Sequence, residues 1–328
     1  MKLKSTLKLA AAAGVAYLLY KAVEEVVIQT LVANALDRDS PRIMEKMEPV
    51  IKGRRTPDPL RDHILAESDR LEKSDFERVT VTAEDGTVLA GRYYPADDPK
   101  RMIVAMHGWR GTWASGFGAL FDFFHDNGCS VLYADQRGQG ESGGEYMGFG
   151  TLENTDCRTW VNWLNERNGA VLPVYLCGVS MGATSVLMCE ALEMPDNVHG
   201  IIADCGFTSA NEIWKHVVEN NLHISYRKRE KRANELCRRR LGFDADSYST
   251  IDALSKGKIP VLFIHGDEDT FVPIEMTFEN YRACKAPKRL LIVSGAPHAR
   301  SSWVDPEKYE KELLDFWEEF DKKNTNDN

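Results

Sequence analysis

"YLCGVSMGATS" (residues 175–185) sets Ser180 between Gly178 and Gly182 at the spacing G-x-S-x-G. Glycine and serine are common enough that a chain of this size carries the spacing by chance about one time in ten. The surroundings decide its meaning. The apolar run "PVYLC" ends just before Gly178, and "MGATSVLMCEAL" follows with helical character. A sharp strand-to-helix turn at Ser180 would push its hydroxyl out above a sheet edge, with the two glycines letting backbones crowd together. The amino terminus of the following helix favours negative charge at the same place.

Working outward, short apolar runs alternate with helical stretches. "RMIVAMHG" (101–108), "CSVLYAD" (129–135), "HGIIADCG" (199–206), "PVLFIHG" (260–266) and "RLLIVSG" (289–295) read as buried strands. Before them, "FERVTVTA" and "GTVLAGRYYP" flank an Asp85-Gly86 turn and read as a hairpin. Helical patterns separate the later runs, the last being "PEKYEKELLDFWEEF". Strand–helix alternation implies a mostly parallel sheet of about eight strands with helices on both faces, the first two strands antiparallel.

The interval from Phe207 to Lys258 is too long for a plain crossover. It opens with a capping box, Ser209 to Glu212, and carries "RKREKRANELCRRR" (227–240), eight basic residues against two acidic. We read residues 207–258 as a small helical lid over the carboxyl edge of the sheet, where open α/β folds bind ligands. Phe207, Trp214 and Tyr226 are candidates to line a substrate pocket there. The basic stretch reads either as a surface that steers anionic esters or a membrane, or as a solvated face with pairs to Glu230 and Glu235.

A serine hydroxyl is a poor nucleophile at neutral pH and needs a base, itself oriented by an acid. "HGDEDTFVP" (265–273) supplies acids past one strand, and "SGAPHARSS" (294–302) places His298 past the last. This gives the chain order Ser180, Asp269, His298. Asp267, nearer the strand end, is expected to hold the turn. His107 and His265 also lie at strand ends, and their His-Gly settings suggest structural or oxyanion-loop duties.

These residues resemble the α/β-hydrolase superfamily over residues 76–320, most of all bacterial esterase-like serine hydrolases with an N-terminal hydrophobic segment. "MHGWRGT", "DQRGQGESGG", "GVSMGA", "HGDEDTFVP" and "APHARS" carry the likeness in order. The resemblance implies an oxyanion hole from the backbone N–H groups of Trp109 and Met181, and bracing roles for Asp135 and Arg137. It implies hydrolysis of a small-molecule carboxylic ester through an acyl-serine, with no metal or organic cofactor. A serine peptidase of the aminopeptidase or acylpeptide type, a thioesterase, a lysophospholipase, and a membrane-tethered binding protein on the same fold remain open.

The rest of the 328 residues bounds these readings. A net charge of -9 argues against a nucleic-acid partner, which needs a basic face. Seven dispersed cysteines without a C-x-x-C pair read as reduced thiols. Residues 1–36 begin with basic "MKLKSTLK", continue with uncharged "LAAAAGVAYLLY", and then place Val23, Val26, Val27, Thr30 and Leu31 at helical spacing. This helix could lie on a membrane, span it, act as a signal, or pack on the protein's own body. The expected localisation is membrane-associated with the side open, and otherwise cytoplasmic. Residues 37–75 form a polar lead-in, and residues 321–328 a polar tail.

Overall fold

The computed structural model describes residues 2–51 and 59–321, with side chains from residue 13 onward; the tail beyond 321 lies outside the described residues. Eight strands form one sheet: β1 (Glu77–Thr82), β2 (Val88–Tyr94), β3 (Arg101–Met106), β4 (Cys129–Ala134), β5 (Val174–Val179), β6 (Val198–Asp204), β7 (Val261–Gly266) and β8 (Lys288–Val293). Their order is β1-β2-β4-β3-β5-β6-β7-β8. The β1–β2 hairpin turns at Gly86, whose φ of 86° suits glycine. It joins β4 antiparallel, and all other pairings are parallel.

Strands β3, β4, β5 and β7 are buried along their whole length, which explains their continuous apolar runs. One face packs on Trp160, Leu164, Val186 and Leu187; the other packs on Trp113, Phe117, Phe124, Phe316 and Trp317. β1 buries Val79 alone and closes the edge.

A third apolar cluster stands apart from the sheet. It joins Ile28, Val32 and Leu36 of the N-terminal helix (Lys2–Leu36) to Trp214, Tyr226, Ala233 and Leu236 of the insertion. The helix therefore packs on the body through the stripe 28/32/36. The face expected from the sequence is displaced: Val23 and Val26 are 61% and 64% exposed. Within the insertion, Ser209 caps the helix Ala210–His216 by accepting from Glu212 N–H at 3.2 Å. The Glu212 carboxylate lies 3.6 Å from Lys215. The basic helix Glu230–Leu241 and its N-cap Arg229 pair mainly with the N-terminal segment: Arg229 with Glu24 at 2.6 Å, Arg232 with Glu25 at 2.5 Å, Arg240 with Asp37 at 2.6 Å. Of the pairs expected within the basic stretch, Glu235 meets Arg232 at 2.9 Å, while Glu230 accepts from Asn211. The helix Thr250–Leu254 returns to the body, where buried Thr250 donates its backbone N–H to Thr208 at 2.9 Å.

Candidate active site

Ser180 stands between β5 and the helix Met181–Met188 with φ 57° and ψ −118°. A non-glycine residue adopts this conformation only where its surroundings force it. The cause is crowding: a Cβ on Gly178 would overlap the carbonyl of Gly182, and one on Gly182 would overlap the carbonyl of Met106. The turn is further pinned by the Ser180 N–H, which donates to Asp204 O at 2.8 Å. Arg110, Cys205 and Ala299, in the loops after β3, β6 and β8, also have positive φ.

His298 lies past β8 and bonds in two directions. Its Nε2 is 2.9 Å from Ser180 Oγ, and its Nδ1 is 2.6 Å from Asp269 Oδ2. A carboxylate only accepts, so Nδ1 carries the proton and Nε2 accepts from the serine hydroxyl. The other oxygen of Asp269 accepts from the N–H groups of Phe271 and Val272 at 2.8 and 2.9 Å, which fixes the carboxylate's plane. Burial works against the charge of Asp269. The positive charge that His298 takes up when protonated, together with hydrogen bonds from His265 and His298, overcomes this and holds the carboxyl well below its usual range. The structure thus brings Ser180, His298 and Asp269 into one hydrogen-bonded line.

The remaining sequence candidates fall into distinct places. Asp267 accepts from Gly295 N–H at 2.6 Å and from the Ser294 hydroxyl at 3.0 Å, holding the β8 turn. His107 is fully buried; its Nδ1–H donates to Gly108 O at 2.8 Å, and its Nε2 accepts from Gln136 N–H at 3.2 Å. His265 is bonded to Thr277 and Val272 and lies 3.3 Å from Asp269. Asp135 is paired with Arg92, and Arg137 with Asp156 and Asp85, so both brace the loop after β4. Met181 opens its helix, where an N–H has no acceptor within the helix itself. Trp109 follows Gly108, whose own Cβ would come 3.3 Å from Ser180 Cβ. Cys205 Sγ shares a group of possible ligand atoms with Asp269 and His298, all within 4.8 Å of one another, but that acid and base already bond to each other.

Two spaces meet at Ser180. One is an apolar chamber lined by the expected Phe207, Trp214 and Tyr226, and by Ile28, Leu31, Val32 and Ala35 of the N-terminal helix. The other is a polar groove past Thr112, Ser115, Arg61, Arg300 and His298. Ser180, Trp109 and Phe271 border both. Sequence reading missed the N-terminal residues, Phe149 and Phe271. Only the 28/32/36 spacing could have signalled the first group.

The family described as serine aminopeptidase S33 matches residues 97–236. The uncharacterised protein YqkD of Bacillus subtilis is 26% identical over 255 residues, covering 77% of this chain and 82% of that one. The uncharacterised protein YfhR of Escherichia coli K12 is 26% identical over 249 residues, covering 73% and 80%. Among solved structures, the esterase Pf2001 of Pyrococcus furiosus superposes with a TM-score of 0.61 at 24% identity, covering 76% of this chain and 93% of that chain. Sheet order, the strained serine turn and these likenesses together give the chain the fold of the α/β-hydrolase superfamily.

Proposed function

We propose that the protein is a serine hydrolase that cleaves carboxylic esters through an acyl-Ser180 intermediate. The observation that carries this reading is the hydrogen-bonded line from Ser180 through His298 to Asp269. In the proposed cycle Ser180 Oγ attacks the ester carbonyl while His298 Nε2 takes its proton. His298 then gives that proton to the departing alkoxide and later activates a water for deacylation. The backbone N–H groups of Met181 and Trp109 are assigned to the developing oxyanion, each worth about 3 kcal/mol of barrier.

The family description favours a second reading, an aminopeptidase. Such an enzyme must hold a substrate ammonium on the acyl side, close to the nucleophile. Among the described residues, the chamber beside Ser180 is lined by no carboxylate; its charged member, Arg229, is a cation paired with Glu24. That lining supports an ester with an apolar acyl group.

We further propose that the exposed part of the N-terminal helix rests on a lipid surface. Val15, Tyr17, Leu18, Leu19, Tyr20, Val23 and Val26 are all more than half exposed, and the sequence places Lys2, Lys4 and Lys8 before them. No helix among the described residues is long and apolar enough to cross a membrane.

Hydrolysis of p-nitrophenyl esters by the full chain and by Ser180→Ala tests the first reading. Turnover by the wild type that falls by at least about 10³-fold in the variant supports it. Turnover that survives the substitution, or aminoacyl anilides cleaved in preference to every ester, overturns it.

A further inference from the structure

The two spaces at Ser180 are not equivalent. His298 borders the polar groove and does not line the chamber. In an acyl transfer the leaving group must stand where the imidazole can protonate it. The alcohol therefore occupies the groove, and the acyl chain is left with the other side of Ser180, the chamber. Leu31, Ala35, Phe207, Trp214, Val218 and Phe271 line that chamber with apolar surface.

A quarter of this wall, Ile28, Leu31, Val32, Asn34 and Ala35 among twenty lining residues, comes from the N-terminal helix, outside residues 97–236 that match the family. The helix is held there by the three ion pairs to the lid and by Ile28, Val32 and Leu36. Leu31 and Ala35 lie beside that buried stripe, are only partly buried, and line the open space.

We propose that Leu31 and Ala35 set the acyl-chain length of the substrate, an ester whose aliphatic acyl group of several carbons fills the chamber and whose polar alcohol leaves through the groove. This rests on the ester-hydrolase reading. A bulky side chain at either position shortens the chamber, and a smaller one at Leu31 deepens it. The effect scales with chain length, since each methylene denied an apolar contact is felt separately.

The test is the kcat/KM profile for p-nitrophenyl acetate, butyrate, octanoate and decanoate with the full chain, Leu31→Trp, Leu31→Ala and Ala35→Phe. The wild type prefers octanoate or decanoate to acetate. Leu31→Trp and Ala35→Phe lower decanoate turnover at least about tenfold more than they lower acetate turnover. Leu31→Ala moves the optimum to longer chains. A wild type that prefers acetate, or variants that change all esters in parallel, overturns the proposal while leaving ester hydrolysis standing.

A readout without chemistry separates the two readings. Titration calorimetry with Ser180→Ala should detect decanoate binding, no acetate binding, and loss of decanoate binding when Leu31→Trp is added. Decanoate binding by a protein that turns over no ester would keep the chamber and remove the hydrolase. Failure to bind decanoate would remove the chamber.

Discussion

The indole Nε1–H of Trp109 donates to the carbonyl of Ala35 at 3.0 Å, tying the loop after β3 to the end of the N-terminal helix. Arg110 reinforces the tie: its guanidinium donates to the carbonyls of Asn34, Asp37 and Arg38 at 3.0, 2.6 and 3.0 Å. Carbonyls that the helix end leaves without partners are thereby satisfied, and the loop beside Ser180 takes its position from residues at the start of the chain.

Two truncations separate the helix's roles. Removal of residues 1–20 leaves Glu24, Glu25 and the buried stripe in place, so turnover of short soluble esters should stay within about twofold. The same truncation should abolish co-sedimentation with anionic phospholipid vesicles. Removal of residues 1–36 strips Ile28, Val32 and Leu36 from the third cluster and takes away the Ala35 acceptor of Trp109 and the Asn34 acceptor of Arg110. It should lower kcat/KM on every ester at least about tenfold and reduce the melting temperature. Equal activity of the two truncated proteins would separate the helix from the site.

Asp269 and Asp267 are two residues apart and hold different partners. Asp269→Asn keeps the shape but removes the charge facing His298, and kcat should fall by about 10³–10⁴. Asp267→Asn loosens only the turn at Ser294 and Gly295 and should cost less than about tenfold. Steady-state kinetics on one soluble ester decides; comparable losses in both would show that the acid has been misassigned.

Gly182→Ala should not yield a folded protein at ambient temperature, because its Cβ would meet backbone at Met106 and His107 rather than a side chain that can turn away. We expect a cost above about 4 kcal/mol. Gly242→Ala, at φ 86° with open space around the added carbon, should cost about 1 kcal/mol. Thermal melts check both: no cooperative transition for Gly182→Ala, and a transition a few degrees below wild type for Gly242→Ala.

Burial pushes the carboxyl of Glu190 up to about 7 from 4.5, against hydrogen bonds from the N–H groups of Ile259 and Lys258. The folded state therefore holds a proton there that the unfolded chain has lost. Stability should decline as pH rises from 4.5 to 7, by an amount on the order of 3 kcal/mol, and stay lower above that range. Glu190→Gln keeps an acceptor for both N–H groups and removes the titration. Its melting temperature should exceed that of wild type at pH 8 and vary less between pH 5 and 8. A larger loss at pH 8 than at pH 5 would mean that the charged form is the one the fold requires.

The sheet and the serine site were readable because each depends on local signals. Buried parallel strands are unbroken apolar runs, and Ser180, Asp269 and His298 each follow one. Phe207, Trp214 and Tyr226 were readable as pocket candidates from their place in an insertion after β6. Phe149 and Phe271 are single aromatics in loops, with no periodicity to mark them. The N-terminal stripe was misplaced for another reason. Residues 15–31 are apolar on more than one face, so spacing alone cannot choose between Val23/Val26 and Ile28/Val32. The choice is made by the insertion, and the acids that match its arginines lie about 200 positions earlier in the chain.

That separation also bears on how the chain matures. The pairs Glu24–Arg229, Glu25–Arg232 and Asp37–Arg240 join residues 205, 207 and 203 positions apart. A ribosome adds residues at about 5–20 per second, so the first helix waits on the order of ten seconds or more for its partners to be synthesised. Throughout that interval its apolar stripe is bare. Closing so long a loop comes late in folding, after the local βα units have formed. One wall of the chamber is thus made about 200 residues before the partners that hold it, and nascent chains arrested before residue 240 should be held by chaperones or by lipid through this helix.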